Sequence, residues 1–196
     1  EQKPGYILNM NQNDRLIYSV AEHHNYEPAI HKRAVAVVDR KLLAVMDVLE
    51  HVKEDTSEQI NFHMDSPLAM ADSEKSFAAT IDSRANIGIY SDRRLKPMLV
   101  PAKISTKNDV WHDTMIARFE AEHLAEGRHA FLSVAYPVPE GQKIPEVTDI
   151  TSELLDDGKV RFGFSVDHSH YELELADQVQ LCLHRELVGG AGDVAR

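Results

Sequence analysis

Leu42-Leu43-Ala44-Val45-Met46-Asp47-Val48-Leu49-Glu50-His51-Val52 is the stretch on which the fold turns. Leu42, Val45, Met46, Leu49 and Val52 fall at helical spacing. The same run also suits a strand buried on both faces, because such strands read as nearly continuous apolar sequence. The upstream neighbours favour the strand. Ala34-Val35-Ala36-Val37-Val38 is a clear strand core, and Asp39-Arg40-Lys41 between the two is a polar break of hairpin length. A helix over Leu42–Val52 is the alternative that would most change the fold.

Working outward, the same rhythm continues in both directions. Residues 16–20 (Leu-Ile-Tyr-Ser-Val) are rich in strand formers, and 25–28 reads as a turn. Downstream, 59–64 alternates until Pro67 breaks it, and 76–81 and 87–90 are two further candidates. Met98-Leu99-Val100 before Pro101 suits an edge strand. Residues 111–121 place Trp111, Met115, Ala117, Phe119 and Ala121 at even spacing, although 120–125 could coil into helix. Residues 128–136 are β-like, and Pro137, Pro139, Gly141 and Pro145 mark a long loop. Asp156-Asp157-Gly158 is a turn, followed by Val160, Phe162, Phe164 and Val166 in strict alternation, then 171–175 and 179–183.

Ten or more short strand candidates separated by turn signals predict an all-β, antiparallel β-sandwich with little helix. The expected organisation is a polar lead-in over 1–14, one β-sandwich domain over 15–187 and a flexible tail over 188–196.

Composition bounds the function. The 196 residues are 43% hydrophobic and 27% charged, as in an ordinary folded domain. A formal net charge of −11 disfavours nucleic acid as a partner, since the densest basic stretch is only Arg93, Arg94 and Lys96. No apolar run is long enough to span a bilayer as a helix. Cys182 is the single cysteine, which leaves no intramolecular disulfide and reads as an ordinary buried or edge thiol. No phosphate loop, dinucleotide fingerprint or nucleophile elbow is present, so no cofactor and no nucleophilic chemistry are expected.

Eleven histidines make metal binding worth weighing. His168 and His170 stand two apart, which on one strand puts both on one face and makes half of a zinc site. The plainer reading is surface histidines beside a hairpin turn. His23, His24, Tyr26 and His31 cluster around a predicted turn and suit a sugar-binding patch; a polar loop with a tyrosine on the sandwich edge is the structural alternative. Trp111 and Arg118 are further candidate carbohydrate contacts, with a core anchor the stronger role for the only tryptophan. No pair of carboxylates is distinctive enough for a glycosidase.

Three stretches carry a resemblance. His31-Lys32-Arg33-Ala34-Val35-Ala36-Val37-Val38, followed by Leu42 to Leu49 with Asp47 near its end, resembles a His-x-Arg strand, turn and aspartate-bearing strand of the heparinase II/III-like polysaccharide lyases. Ile60-Asn61-Phe62-His63-Met64-Asp65 resembles the family strand that follows, and Ser19 to Tyr26 resembles the lead into the His-x-Arg strand. Trp111 to Pro137 is a looser match to a late region. The resemblance implies the distal, C-terminal β-sandwich portion of an enzyme that also has an N-terminal helical toroid. It implies β-elimination at uronic acids of an acidic polysaccharide, with tyrosine and histidine sharing the acid and base tasks. A periplasmic or secreted parent is implied more than a cytoplasmic one.

The family also carries a His-x-His-Ala-Asp segment and an Asp-Pro-Gly, bearing a catalytic histidine and often a structural zinc. Neither occurs in the 25 residues before Tyr26, and His168-Ser169-His170 comes far too late in the chain to replace them. No catalytic or zinc residue is therefore carried over. The expected role is structural and substrate-supporting, inactive alone, with a free-standing carbohydrate-binding module as the alternative.

Overall fold

A computed structural model describes residues 4–107, 110–176 and 180–187. The expected tail over 188–196 lies outside the described residues. All regular elements described are strands: β1 (Tyr6–Gln12), β2 (Leu16–Tyr26), β3 (Ala29–Val38), β4 (Leu42–Val52), β5 (Thr56–Met64), β6 (Ala69–Asp72), β7 (Phe77–Thr80), β8 (Asn86–Ser91), β9 (Lys96–Lys107), β10 (Val110–Leu124), β11 (Gly127–Val138), β12 (Thr148–Leu154), β13 (Val160–Val166), β14 (Ser169–Leu175) and β15 (Leu181–Leu187). Every pairing is antiparallel, so the all-β sandwich expected from the sequence is the fold.

The strands form an eight-stranded sheet in the order β1-β2-β3-β4-β11-β8-β7-β6, a three-stranded sheet β5-β10-β9 and a four-stranded sheet β12-β13-β14-β15. Two separate cores show how they stack. One joins Leu16, Val20, Ala44, Met46 and Leu132 of the large sheet to Phe162, Phe164 and Leu173 of the four-stranded sheet. The other joins Leu49, Phe131 and Ile89 of the large sheet to Ile60, Ala117 and Phe119 of the three-stranded sheet. The large sheet is thus a middle layer, covered on both faces by smaller sheets.

That arrangement settles the segment Leu42–Val52. It is strand β4, near the centre of the middle layer: Leu42, Ala44, Met46 and Val48 enter one core and Leu43 and Leu49 the other, which Val52 joins after His51 at φ 57°. An apolar residue at nearly every position is what two buried faces require, and it imitates a helical stripe. Asp39 and Arg40 in the preceding turn both take positive φ, 49° and 55°, the conformation of a tight hairpin turn matched to strand twist.

Three expectations need correction. Regular structure begins at Tyr6, before Arg15, because β1 pairs along β2 as an edge strand. Its polar residues, Asn9 and Asn11 among them, suit the expected lead-in, but one side of an edge strand faces water and tolerates them. No helix forms over 120–125; β10 continues to Leu124 through an irregularity after Ala121, with His123 at φ 54°. Finally, β9 runs through Pro97 and Pro101, well beyond the short edge strand expected at Met98-Leu99-Val100; its position at a sheet edge leaves room for residues without an N–H.

The three-stranded sheet covers β4, β11, β8 and β7 but stops short of β1–β3. On that side the large sheet shows Ile7, Met10, Ile17 and Val35, with exposures of 68%, 66%, 44% and 36%. Cross-strand register places them together, since Met10 pairs with Ser19, Ser19 with Val35 and Ile7 with Ala21.

Candidate functional site

The uncovered face ends in a groove of about 490 Å³. Its floor is the tip of the β2–β3 hairpin, with His23, Tyr26, His31 and Arg33. Its wall is the Thr56–Asn61 stretch of β5, which is the free edge of the three-stranded sheet. The hairpin explains the floor: β2 and β3 pair His23 directly with His31, and Arg33 lies two residues on, so all three side chains share one face. The expected patch of His23, Tyr26 and His31 is therefore assembled as a surface.

A buried carboxylate organises it. Asp47 is directly opposite Arg33 in the β3–β4 register and has no exposed side-chain area. Its Oδ1 accepts from His31 Nε2 at 2.6 Å and from Arg33 Nε at 2.6 Å. His31 Nδ1 lies 3.1 Å from His23 Nε2, and the backbone N–H of Asn25 donates to His23 Nδ1 at 3.4 Å. With Nδ1 accepting, the neutral His23 ring carries its proton on Nε2 and donates it to His31. The result is a hydrogen-bond wire running from the groove floor to a carboxylate with no access to water.

The electrostatics follow from the packing. Burial, then the electrostatic influence of His31 and the Arg33 guanidinium, hold His23 below the ordinary histidine range, with Asp47 opposing them. Glu58 reaches in from β5, and burial, opposed by His31 and Arg33 and helped by Asp47, pushes its carboxyl above the ordinary glutamate range. His23 and Tyr26 make an edge-to-face contact at 5.4 Å, which leaves the Tyr26 ring 69% exposed beside the groove.

The other sequence candidates lie elsewhere. His24 faces away from His23 and bonds Glu22 Oε1 at 2.7 Å, in a network that continues through Lys32 to Glu50. Arg118 stands one strand behind the wall and donates to Asn61 Oδ1 at 3.0 Å, so it reaches the groove only through Asn61. Trp111 is no core anchor. It is 64% exposed and lies where β10 and β9 overhang the end of β5, about 23 Å along the strand from Arg118 at 3.3 Å per residue. Cys182 is exposed on the outermost strand β15.

His168 and His170 do not share a strand face. His168 occupies the two-residue β13–β14 turn at φ 60°, while His170 sits on β14 with Nδ1 3.0 Å from Ser165 Oγ. Among the described residues no three His, Cys, Asp or Glu side chains converge as metal ligands. The groove histidines do not fit a zinc site either, since His31 spends both ring nitrogens on its neighbours. Sequence reasoning passed over Arg33, Asp47 and Glu58 as site residues. Asp47 had a signal, as the one charged residue in the apolar run 42–49; Glu58, from another sheet, had none.

Solved structures similar to this chain include a heparan sulfate lyase and heparinase III. A mutant of heparan sulfate lyase HepC from Pedobacter heparinus superposes over 94% of this chain and 28% of its own, with 18% identity and a TM-score of 0.71. A heparinase III gene product matches 94% of this chain and 28% of its own at 15% identity and TM-score 0.73, and another heparinase III matches at 14% and 0.67. This chain therefore has the fold of the C-terminal part of those enzymes and spans about 28% of their length. No family model and no curated protein sequence matches the chain. Among the described residues no helix is long and apolar enough to cross a membrane.

Proposed function

We propose that this chain is the C-terminal β-sandwich portion of a heparinase III-like polysaccharide lyase, with a supporting role toward an acidic polysaccharide and no lyase activity alone. The observation that carries this is the superposition over 94% of the chain on about 28% of lyase chains. The groove is the surface offered to the glycan: it combines an exposed aromatic ring, two imidazoles and a guanidinium on a rigid hairpin, the mixture that binds sugars. The bare strip of Ile7, Met10, Ile17 and Val35 supports a larger parent, because an apolar patch rimmed by polar residues marks an interaction surface. In this reading a helical N-terminal domain of the parent is the intramolecular partner.

Lyase activity is tested by incubating the chain with uronic-acid polymers and following the ultraviolet absorbance of unsaturated product. No turnover is expected, and robust turnover would overturn the inactive role. Calorimetric titration with the same polymers is expected to show binding that is lost in Tyr26→Ala.

A second reading, a free-standing carbohydrate-binding module, is favoured by the groove being built wholly from this chain. The sequence encoded upstream separates the two. A helical toroid followed by His-x-His-Ala-Asp supports the lyase portion, and its absence supports the module.

A further inference from the structure

We propose that the groove contains a single-anion site, in which Arg33 and His23 grip one carboxylate or sulfate group while Asp47 and His31 act as positioning residues. The inference rests on reading the groove as a polysaccharide contact and deepens it by naming the group that is held and the atoms that hold it.

Arg33 is the centre of the argument. Its Nε is spent on Asp47 at 2.6 Å, which fixes the plane of the guanidinium. Among the described residues Nη1 and Nη2 have no protein acceptor, and the side chain, 39% exposed, lines the groove. Arg15, Arg84, Arg94, Arg161 and Arg185 by contrast spend a terminal nitrogen, or two adjacent ones, on protein acceptors. A guanidinium pinned at Nε with its outer fork free is shaped for a planar or tetrahedral oxyanion.

His23 supplies the second grip. It lines the same groove, and its Nδ1 faces only the long contact from the Asn25 backbone. A proton taken from solvent at Nδ1 makes both ring nitrogens donors: Nε2 to His31 and Nδ1 to the anion. The positive charge is then stabilised through His31 by buried Asp47. The titratable and charged groups that act on His23 are His31 and Arg33 on β3 and Asp47 on β4, which share its face, and His24, its neighbour on β2 that points to the other face. Glu58 faces His31, Arg33 and Asp47 from β5. As pH falls, His23 gains charge and Glu58 loses it, so both changes favour an anion.

The test is imidazole and guanidinium NMR of the intact chain, titrated with sodium sulfate, sodium glucuronate and uncharged methyl glucoside at neutral and mildly acidic pH. Saturable shifts at His23 and Arg33 with both anions, tighter at the acidic pH and absent with the glucoside, are expected. Arg33→Gln and His23→Gln, checked for retained amide dispersion, should each weaken anion binding about tenfold, the scale of one charge-assisted hydrogen bond. Asp47→Asn tests positioning: it should move the pH profile of binding to lower pH, which a purely structural role would not do. Unsaturable shifts, or unchanged affinity in both Gln variants, would overturn the site. Uronic-acid polymer binding that survives Arg33→Gln intact overturns the anion site and leaves the polysaccharide reading standing. Anions held at Arg33 without any polymer binding support the site and remove that reading.

Discussion

A carboxylate with no contact to water has to be held by donors, and Asp47 is held on one oxygen by two of them. His31 Nε2 and Arg33 Nε both bond Oδ1, while the buried Oδ2 has no protein partner among the described residues. Removing the carboxylate strands a buried imidazole and a half-buried guanidinium at once. Asp47→Ala should therefore cost about 3–5 kcal/mol, the usual penalty for breaking a buried ion pair, read by urea unfolding. A loss below about 1 kcal/mol would show that the cluster is solvated and the wire loosely held. Glu58 gives the opposite sign. Its folded-state pKa is raised by burial, so the folded chain binds the proton more tightly than the unfolded chain. Stability is then highest below the ordinary glutamate pKa and falls as pH rises through the folded value. Glu58→Gln escapes that loss. The variant should melt higher than the parent chain at neutral pH and at the same temperature near pH 4, a convergence that thermal scans across pH would reveal.

At the scale of elements, strands were legible wherever one face only is buried. β13 alternates apolar and polar residues because its other side faces water, and the sequence shows this directly. β4 gave an ambiguous signal for a physical reason: with both faces covered, period two disappears, and only the hairpin turn before it argued for a strand. β1 was missed because its polar residues resemble a turn, and pairing with β2 is a long-range event that local propensity does not report. The groove was legible in part. A turn at 25–28 puts His23 beside His31, but the facing of His24 and the overhang that carries Trp111 away depend on register. The long loop after β11 makes a contact that can be tested. A Cβ on Gly88 of β8 would fall 2.4 Å from Ile144 Cγ2 and 3.2 Å from Phe77 Cε2. Gly88→Ala should thus destabilise by about 1–3 kcal/mol through overpacking. Adding Ile144→Ala should recover part of the loss in a double-mutant cycle, and strictly additive effects would show that the loop yields freely.

For the whole molecule, the decisive feature is that one sheet serves two cores. Phe162 belongs to the core under the four-stranded sheet and Phe119 to the core under the three-stranded sheet, and both are fully buried. β4 and β11 lie between them and contribute residues to each: Met46 and Leu132 to one, Leu49 and Phe131 to the other. Peeling away either outer sheet exposes a face of the same two central strands, so the remaining core loses the support that fixes its own side chains. The two cores should accordingly melt together, so the single domain expected over 15–187, with β1 added at its edge, should behave as one cooperative unit. Phe162→Ala and Phe119→Ala each delete a large ring from a different core, and each should cost about 3–5 kcal/mol. Calorimetry is expected to show a single transition in the parent chain and in both variants, moved to lower temperature in each. If Phe119→Ala instead split the transition, with one peak staying in place, the three-stranded sheet would be folding independently. The groove between its β5 edge and the β2–β3 hairpin could then open without loss of the larger core, and its geometry would cease to be a rigid property of the fold.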